Sequence, residues 1–495
     1  MREGTNHVFR QELTYSIMRS EPPFNCGCAA TFMNWSRREF LRTCLSGSIA
    51  LPLAGGGIAA DLTSLLHLPR DPDNSVLLEN IERVSFDYFW NEANPGTGLV
   101  KDRARADGAD TRRIGSIAAT GFGLTALCIG DRRGFASRQQ IRARVRGTLK
   151  FLALQAPQVY GFLYHFVDVG TGARHGHSEV SPIDMAILLC GVLTCRQYFE
   201  DPQIQDYAAK IYNRVDWPWA LNGGDTFALA WTPERGFNHL RWNKYNECMM
   251  LYLLAMGSPT HPIAASSWNL IRRPWVQYEN YRFIAGSSPL FVHQFSHAWF
   301  DFREKRDAYT NYFENSVMAS RAHRKFCQRL AAKFPCYSKD VWGITASDSI
   351  GGYVAWGGPP IQGPIDGTIV PAAAAGSLPF VPEESLAVLH RLRSQYGRRI
   401  WKRYGFVDAF NPLTGWISPD VVGIDVGITM LMAENARTQL VWDTFMQNSE
   451  INAAMERAGF HAQPDRVPML ASHAPIPEVP EHSGAALPSR GKSQY

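Results

Sequence analysis

Residues 242–262 read W-N-K-Y-N-E-C-M-M-L-Y-L-L-A-M-G-S-P-T-H-P. Residues 248–256 are apolar almost all round, Asn243 is placed to cap an N-terminus, and Gly257 with Pro259 ends the run. A helix apolar on every side has no face for water, so it belongs inside a large helical domain. Glu247 stands in its first turns, where a carboxylate needs a reason. It is either a dipole partner or paired structural acid, or a proton donor at the mouth of a helical barrel, its pKa raised by apolar neighbours.

The same contrast recurs along the chain. Spacing predicts helices over 77–90, 116–129, 138–154, 182–199, 204–215, 309–332, 382–396, 426–438 and 441–458. In the first, Leu77, Leu78, Ile81, Val84, Tyr88 and Phe89 recur every three or four residues until Asn94-Pro95-Gly96-Thr97-Gly98 breaks the pattern. Runs 116–129, 182–193, 248–256 and 426–432 are apolar all round, whereas 138–154, 204–215 and 321–333 are amphipathic. That alternation suggests two concentric layers, an all-α (α/α)6 barrel or toroid whose long irregular loops form the active-site face. No clean repeat supports it, and periodicity alone also allows a generic all-α domain. Only 161–167 and 227–231 look strand-like.

The chain has 495 residues, 45% hydrophobic and 12% aromatic, enough for a large core. A net charge of +5 makes no electrostatic case for nucleic acid. Ser36-Arg37-Arg38-Glu39-Phe40-Leu41 precedes a mildly apolar, glycine-rich run, 44–60. This resembles a twin-arginine export signal, with the twin-arginine translocase as export partner and a periplasmic or secreted destination. The run is too short and glycine-rich for a membrane anchor. The expected organisation is a signal over 1–60 with an extended N-region, a hydrolase-like domain over 61–462, and a proline-rich, disordered or surface-hugging tail over 463–495. The six cysteines beyond the signal lack metal-ligand spacing, and buried free thiols are expected of them.

Aromatic, glycine and acidic residues cluster in the connections. Sugar rings present apolar CH faces edged by hydroxyls, which Trp and Tyr faces beside Asp, Asn, Arg and His match, and two carboxyl groups across a cleft suffice to cleave a glycosidic bond. The sugar-contact candidates from these loops are Asp102, Arg103, Asp184, Asp348, Trp356, Asp366, Phe410 and Asp425, with Trp299 from H-Q-F-S-H-A-W and, as sugar-hydroxyl partners or packed polar groups, His293 and Gln294. Asp184 equally suits a capping box with Ser181, and Asp425 an N-cap. Asp102 with Arg103 could be a plain ion pair, and Asp168 and Asp348 could simply hold loops. Glu179 caps nothing and is a candidate for catalysis or sugar binding. His293 and His297 have zinc-like spacing, but no Glu follows the first and no third ligand is evident, so no metal and no cofactor is expected.

Taken together, these segments resemble the bacterial glycoamylase-like domain family, which includes endo-β-1,2-glucanases and is related to the transglycosylase region of cyclic β-1,2-glucan synthases. The likeness spans residues 82–460. It is carried by F-x-Y-F-W-x-E-A-N-P from Phe86, T-G-L-V-x-D-R, G-F-L-Y-H-F-V-D, S-E-V-S-x-I-D, G-S-P-T-H-P, H-Q-F-S-H-A-W-x-D-F-R, W-G-I-T-A-S-D, Y-V-A-W-G-G-P-P, D-G-T-I-V-P and Y-G-F-V-D-A-F-N-P. The resemblance implies an (α/α)6 barrel and a glycoside hydrolase acting on an oligo- or polysaccharide β-glucan. It places essential acids at Glu179 and Glu247. It also implies inversion, with carboxyl groups roughly 6.5–9.5 Å apart. Glu247 is then the donor, Glu179 or Asp168 helps organise the base, and Asp425 or Asp348 could be the base itself. A glycosyl-transferring relative, with carboxyls about 5–5.5 Å apart, and a silent glycan-binding protein are the alternatives.

Overall fold

The computed structural model describes residues 72–359 and 363–463. The twin-arginine stretch, the run after it and the proline-rich segment beyond Gln463 lie outside the described residues. About half of what is described is helical. The strands are short antiparallel pairs of two to four residues.

Two kinds of helix account for the packing. Helices α2 (Ile117–Arg133), α4 (Pro182–Tyr198), α7 (Met249–Gly257), α9 (Pro371–Ala375) and α11 (Gly423–Thr438) are buried on nearly all sides. Helices α1 (Pro72–Asn91), α3 (Arg138–Leu154), α5 (Pro202–Asn213), α8 (Tyr312–Leu330) and α10 (Pro382–Tyr396) bury one face. In α3, Ile141, Val145, Leu149 and Leu152 form the inward stripe, and Ser137 caps the helix by accepting from the Gln140 amide at 3.3 Å. The buried helices neighbour one another: α2 packs on α4 and α11, α4 on α7, and α9 on α11. Of the one-faced set, α1 covers α2 and α11, while α5 lies against α3 and α4. Short helices Trp217–Leu221 (α6), Leu440–Phe445 (α12) and Ser449–Arg457 (α13) complete the described set.

The closest crossing is α2 on α4. A Cβ on Gly191 would lie 2.0 Å from the Gly121 carbonyl oxygen, and one on Gly121 would lie 2.3 Å from that of Ile187. Only glycine permits this approach. The thiols of Cys128 and Cys195 sit at the same contact, 3.7 Å apart, and the six described cysteines are free, five of them buried.

Two expected helices come out differently, and so does the His293/His297 spacing. The 242–262 helix begins only at Met249, because residues 242–245 are bonded to neighbouring extended segments. The Trp242 amide donates to Phe227 O at 2.9 Å and the Tyr245 amide to Arg272 O at 2.8 Å. Asn243 therefore caps nothing, and Glu247 precedes the helix. The 441–458 helix is two, α12 and α13, divided at buried Asn448, whose amide group donates to Phe445 O at 2.7 Å and to Leu193 O on α4 at 3.3 Å. The His293/His297 stretch is not one helix face but two short 3-10 turns, Leu290–His293 and Phe295–Ala298.

Candidate active site

The starts of the buried helices are stitched side by side by the loops that enter them. Strand Ile114–Ser116, leading into α2, pairs with Phe166–Asp168, and the Ile117 amide donates to His165 O at 3.2 Å. Strand Asp420–Val422, leading into α11, pairs with Arg103–Arg105, and the Gly423 amide donates to Asp102 O at 2.7 Å. Val180, just before α4, bridges Trp231 on the segment that continues to α7. Backbone N–H groups at helix starts favour anions, and acids are what the sequence puts there. Asp184 and Asp425 are each the third residue of their helix, and Glu247 stands two residues ahead of α7.

At the mouth of α4, His165 lies between two carboxyl groups. Its Nδ1 is 3.2 Å from Glu179 Oε1 and its Nε2 is 3.4 Å from Asp184 Oδ1. A carboxylate only accepts, so both contacts are hydrogen bonds only if the ring carries two protons or one carboxyl is protonated. The Ser181 hydroxyl donates to Asp184 Oδ2 at 2.5 Å instead of accepting a helix amide, so the expected capping box is replaced by a relay of side chains.

At the mouth of α11, Arg103 Nη1 bonds both Asp348 oxygens at 2.8 and 2.9 Å, and its Nε bonds Asp102 Oδ2 at 3.0 Å. The Asp348 amide donates to Asp408 Oδ2 at 2.7 Å, and Asp408 and Asp425 line one small cavity. Burial first, and then the charges of Asp425 and Asp348, push the Asp408 carboxyl well above the usual carboxylate range. Asp425 is not the expected N-cap. Val422 holds that place, and Asp425 lies inside the first turn. Glu247 is fully buried at the mouth of α7, where its carbonyl accepts from Ser296 Oγ at 2.8 Å.

Other expected site residues lie elsewhere. Asp168 is on the rim, gripped by Arg113 through two bonds of 2.8 and 2.9 Å and by the Gly170 and Thr171 amides. The Arg113 guanidinium, foremost, holds its carboxyl down at about 2, a weak base. His293, Gln294 and Trp299 face the interior, not sugar. His293 meets Tyr245 OH at 3.2 Å. Gln294 Nε2 donates to Ala373 O and Ser377 Oγ, both at 2.9 Å. Trp299 Nε1 donates to Thr125 Oγ1 at 2.9 Å. Phe410 is likewise buried, edge-on to Tyr396, and Trp356 is buried with its Nε1 on Ser347 Oγ at 2.9 Å. Asp366 is half-buried and holds its own turn by accepting the Thr368 amide at 2.8 Å. Two residues escaped the sequence reading, His165 and Asp408. Both lie in motifs it quoted, where a lone polar group between aromatic and aliphatic residues was the available signal.

Comparison with known proteins follows this geometry. The model of the Glycoamylase family, described as "Putative glucoamylase", matches residues 239–449. An exo β-1,2-glucooligosaccharide sophorohydrolase (non-reducing end) of Parabacteroides distasonis is 29% identical over 423 residues, 77% of this chain. The chain spans only 57% of that curated relative's length. The solved endo-β-1,2-glucanase of Chitinophaga pinensis, in complex with sophorotriose and glucose, superposes with a TM-score of 0.74 at 28% identity, covering 78% of this chain and 98% of that one. A β-1,2-glucanase of Parabacteroides distasonis superposes with a TM-score of 0.72 at 26% identity, over 79% and 60% of the two chains. The resemblance read from the motifs holds.

Proposed function

We propose that this relative of the glycoamylase-like proteins is a glycoside hydrolase that cleaves β-1,2-linked glucan by inversion, with Glu247 as proton donor and Asp425 as the base. The observation that carries the reading is that three acids, on three separate chain segments, are delivered to the adjoining starts of buried helices. Two other acids considered for the base, Asp168 and Asp348, have their oxygens occupied by guanidinium groups, which argues for Asp425.

In the proposed step, water loses a proton to Asp425 while its oxygen bonds the anomeric carbon. The glycosidic C–O bond breaks on the opposite face, and the Glu247 proton passes to the leaving oxygen. Solvent exchange then returns one proton to Glu247 and removes one from Asp425. Glu179, oriented by His165 and partly exposed, suits a contact to sugar hydroxyls beside that centre, as do the Asp102, Arg103 and Asp348 side chains.

The fold that accompanies this reading is an (α/α)6 toroid. It is supported by the neighbour order among α11, α2, α4 and α7, and by Gln294, whose bond to Ala373 O brings the 290–298 turns against α9. An endo mode is supported by the Chitinophaga enzyme, which the alignment covers almost whole. Release of a disaccharide is the second reading, favoured by the name of the curated relative. Export is proposed from the Arg37-Arg38 motif.

The test is product analysis on linear β-1,2-glucan, laminarin, cellulose oligomers and starch, with the product anomer read by NMR at early times. A ladder of β-1,2-oligosaccharides of inverted anomer, from the first substrate alone, is expected. A single disaccharide selects exo action, retained configuration points to glycosyl transfer, and binding without turnover would leave only the glycan-binding alternative.

A further inference from the structure

The mouth of α11 holds more acid than its base requires. Asp408 enters from the segment before strand Phe410–Asn411, its amide fixed to Asp420 O at 3.1 Å, and shares one cavity with Asp425 of α11. Both side chains are buried, at 4% and 6% exposure. Both also line a cavity of about 30 Å³, with Tyr404, Pro371 and Val422 among its walls, room enough for a water. Two carboxyl groups can bond each other only if one keeps its proton, because ionised oxygens only accept. We propose that Asp408 is that protonated partner and acts as a positioning residue. By donating its hydrogen bond to Asp425, it fixes the Asp425 carboxylate and assigns it the role of base.

Surrounding charge settles which of the two is ionised. Asp425 lies in the first turn of α11, where the helix dipole favours an anion. Asp408 has one backbone donor, the Asp348 amide, and faces Asp348 and Asp425. The nearby cation, Arg103, is engaged with Asp348 and Asp102. Tyr404, in the cavity wall, bonds Glu92 at 2.5 Å. Ionising Asp408 would thus put a third anion beside two others in a buried pocket, in line with the upward shift of its carboxyl.

The inference rests on the hydrolase reading, and its test separates the two. Infrared spectra of the full protein labelled with 13C-carboxyl aspartate are taken at neutral pH for wild type and D408N. Rate–pH profiles on β-1,2-glucan are taken for wild type, D408N and D408A. Asn keeps a donor toward Asp425 and an acceptor for the Asp348 amide but cannot ionise. The protonated-carboxyl band should therefore be present in wild type and gone in D408N. D408N should keep kcat within about tenfold near neutrality while its alkaline limb moves up by about one pH unit or more. D408A should lose about 10²-fold in kcat with KM little changed. Absence of the band, a D408N profile superimposable on wild type, or a folded D408A with wild-type kcat would overturn the proposal. A wild-type protein that shows the band but cleaves no glucan removes the hydrolase reading and the positioning role with it, while the proton on Asp408 stands.

Discussion

Helix α11 carries a buried cluster of charge at each end, and the two are built differently. Near its C-terminus, Glu434 and Glu82 are completely buried and face two arginines. Arg133 bonds Glu434 at 2.8 and 2.9 Å, and Arg437 reaches Glu82 and, at 2.8 Å, Glu79. Burial and then Glu434 push the Glu82 carboxyl up, and the guanidiniums pull it back. At the other end Arg103 pairs with Asp102 and Asp348, and two further acids, Asp408 and Asp425, line the cavity beside them. A cluster with nearly matched charges locks α1, α2 and α11 together. One with surplus acid keeps a titratable proton and a basic oxygen, which is costly for stability and useful for chemistry.

The sharpest way to test that contrast is to neutralise the mouths of α7 and α11. E247Q and D425N should each lower kcat on β-1,2-glucan by about 10²–10⁴-fold, some 3–5 kcal/mol of barrier, with the melting temperature unchanged or raised. Either variant turning over near the wild-type rate takes that acid out of the chemistry. The opposite end should respond the opposite way. R133A leaves two buried carboxyls short of a cation and should cost about 3–5 kcal/mol in urea unfolding, with kcat unaltered where the protein is folded. A marginal loss of stability there would mean the cluster is not the lock its geometry implies.

Most of this architecture was legible in the chain. Ser137, Pro182 and Pro382 mark helix starts that the structure keeps, because a cap or an N1 proline acts through the local backbone. Glu179 and Glu247 stood out because nothing local explained them. What escaped depends on partners far along the chain. Glu247 leaves its helix because Tyr245 is pulled into pairing with Arg272. Asp425 ceases to be a cap because strand pairing with Arg103–Arg105 carries the chain to Val422 and the helix starts right there, ahead of Asp425. His293, Gln294 and Trp299 looked like sugar ligands by type, yet their bonding groups close contacts with Tyr245, Ala373 and Thr125. Residue type in one stretch cannot say which side of it the neighbouring segments will cover.

Those buried histidines predict a smaller, pH-dependent effect located away from the acid mouths. His293, His297 and His323 are fully buried, and burial pulls each from 6.5 down to about 3. His323 Nε2 accepts the Ile344 amide at 2.9 Å, which only a neutral ring can do. The folded state therefore binds fewer protons than the unfolded state between those values, so stability falls as pH drops below 6.5 and the loss is complete near 3. Between pH 7 and 5 each histidine should account for at most about 2 kcal/mol. In urea titrations at both values, H323Q, which can keep an acceptor for Ile344, should shrink the pH difference by about that amount. An unchanged difference would place the acid sensitivity in other groups.

The smallest effect is expected at Asp168, and it guards the contrast from the other side. Asp168 Oδ1 accepts from the Gly170 and Thr171 amides, and its carboxylate pairs with exposed Arg113. Asn at this position keeps the two amide bonds and gives up a solvent-screened ion pair worth no more than about 1 kcal/mol. D168N should thus melt close to wild type and keep kcat within about tenfold. Loss of about 10²-fold or more would show that the rim acid works in the reaction, and the assignment of the base to the surplus acids around α11 would then have to be abandoned.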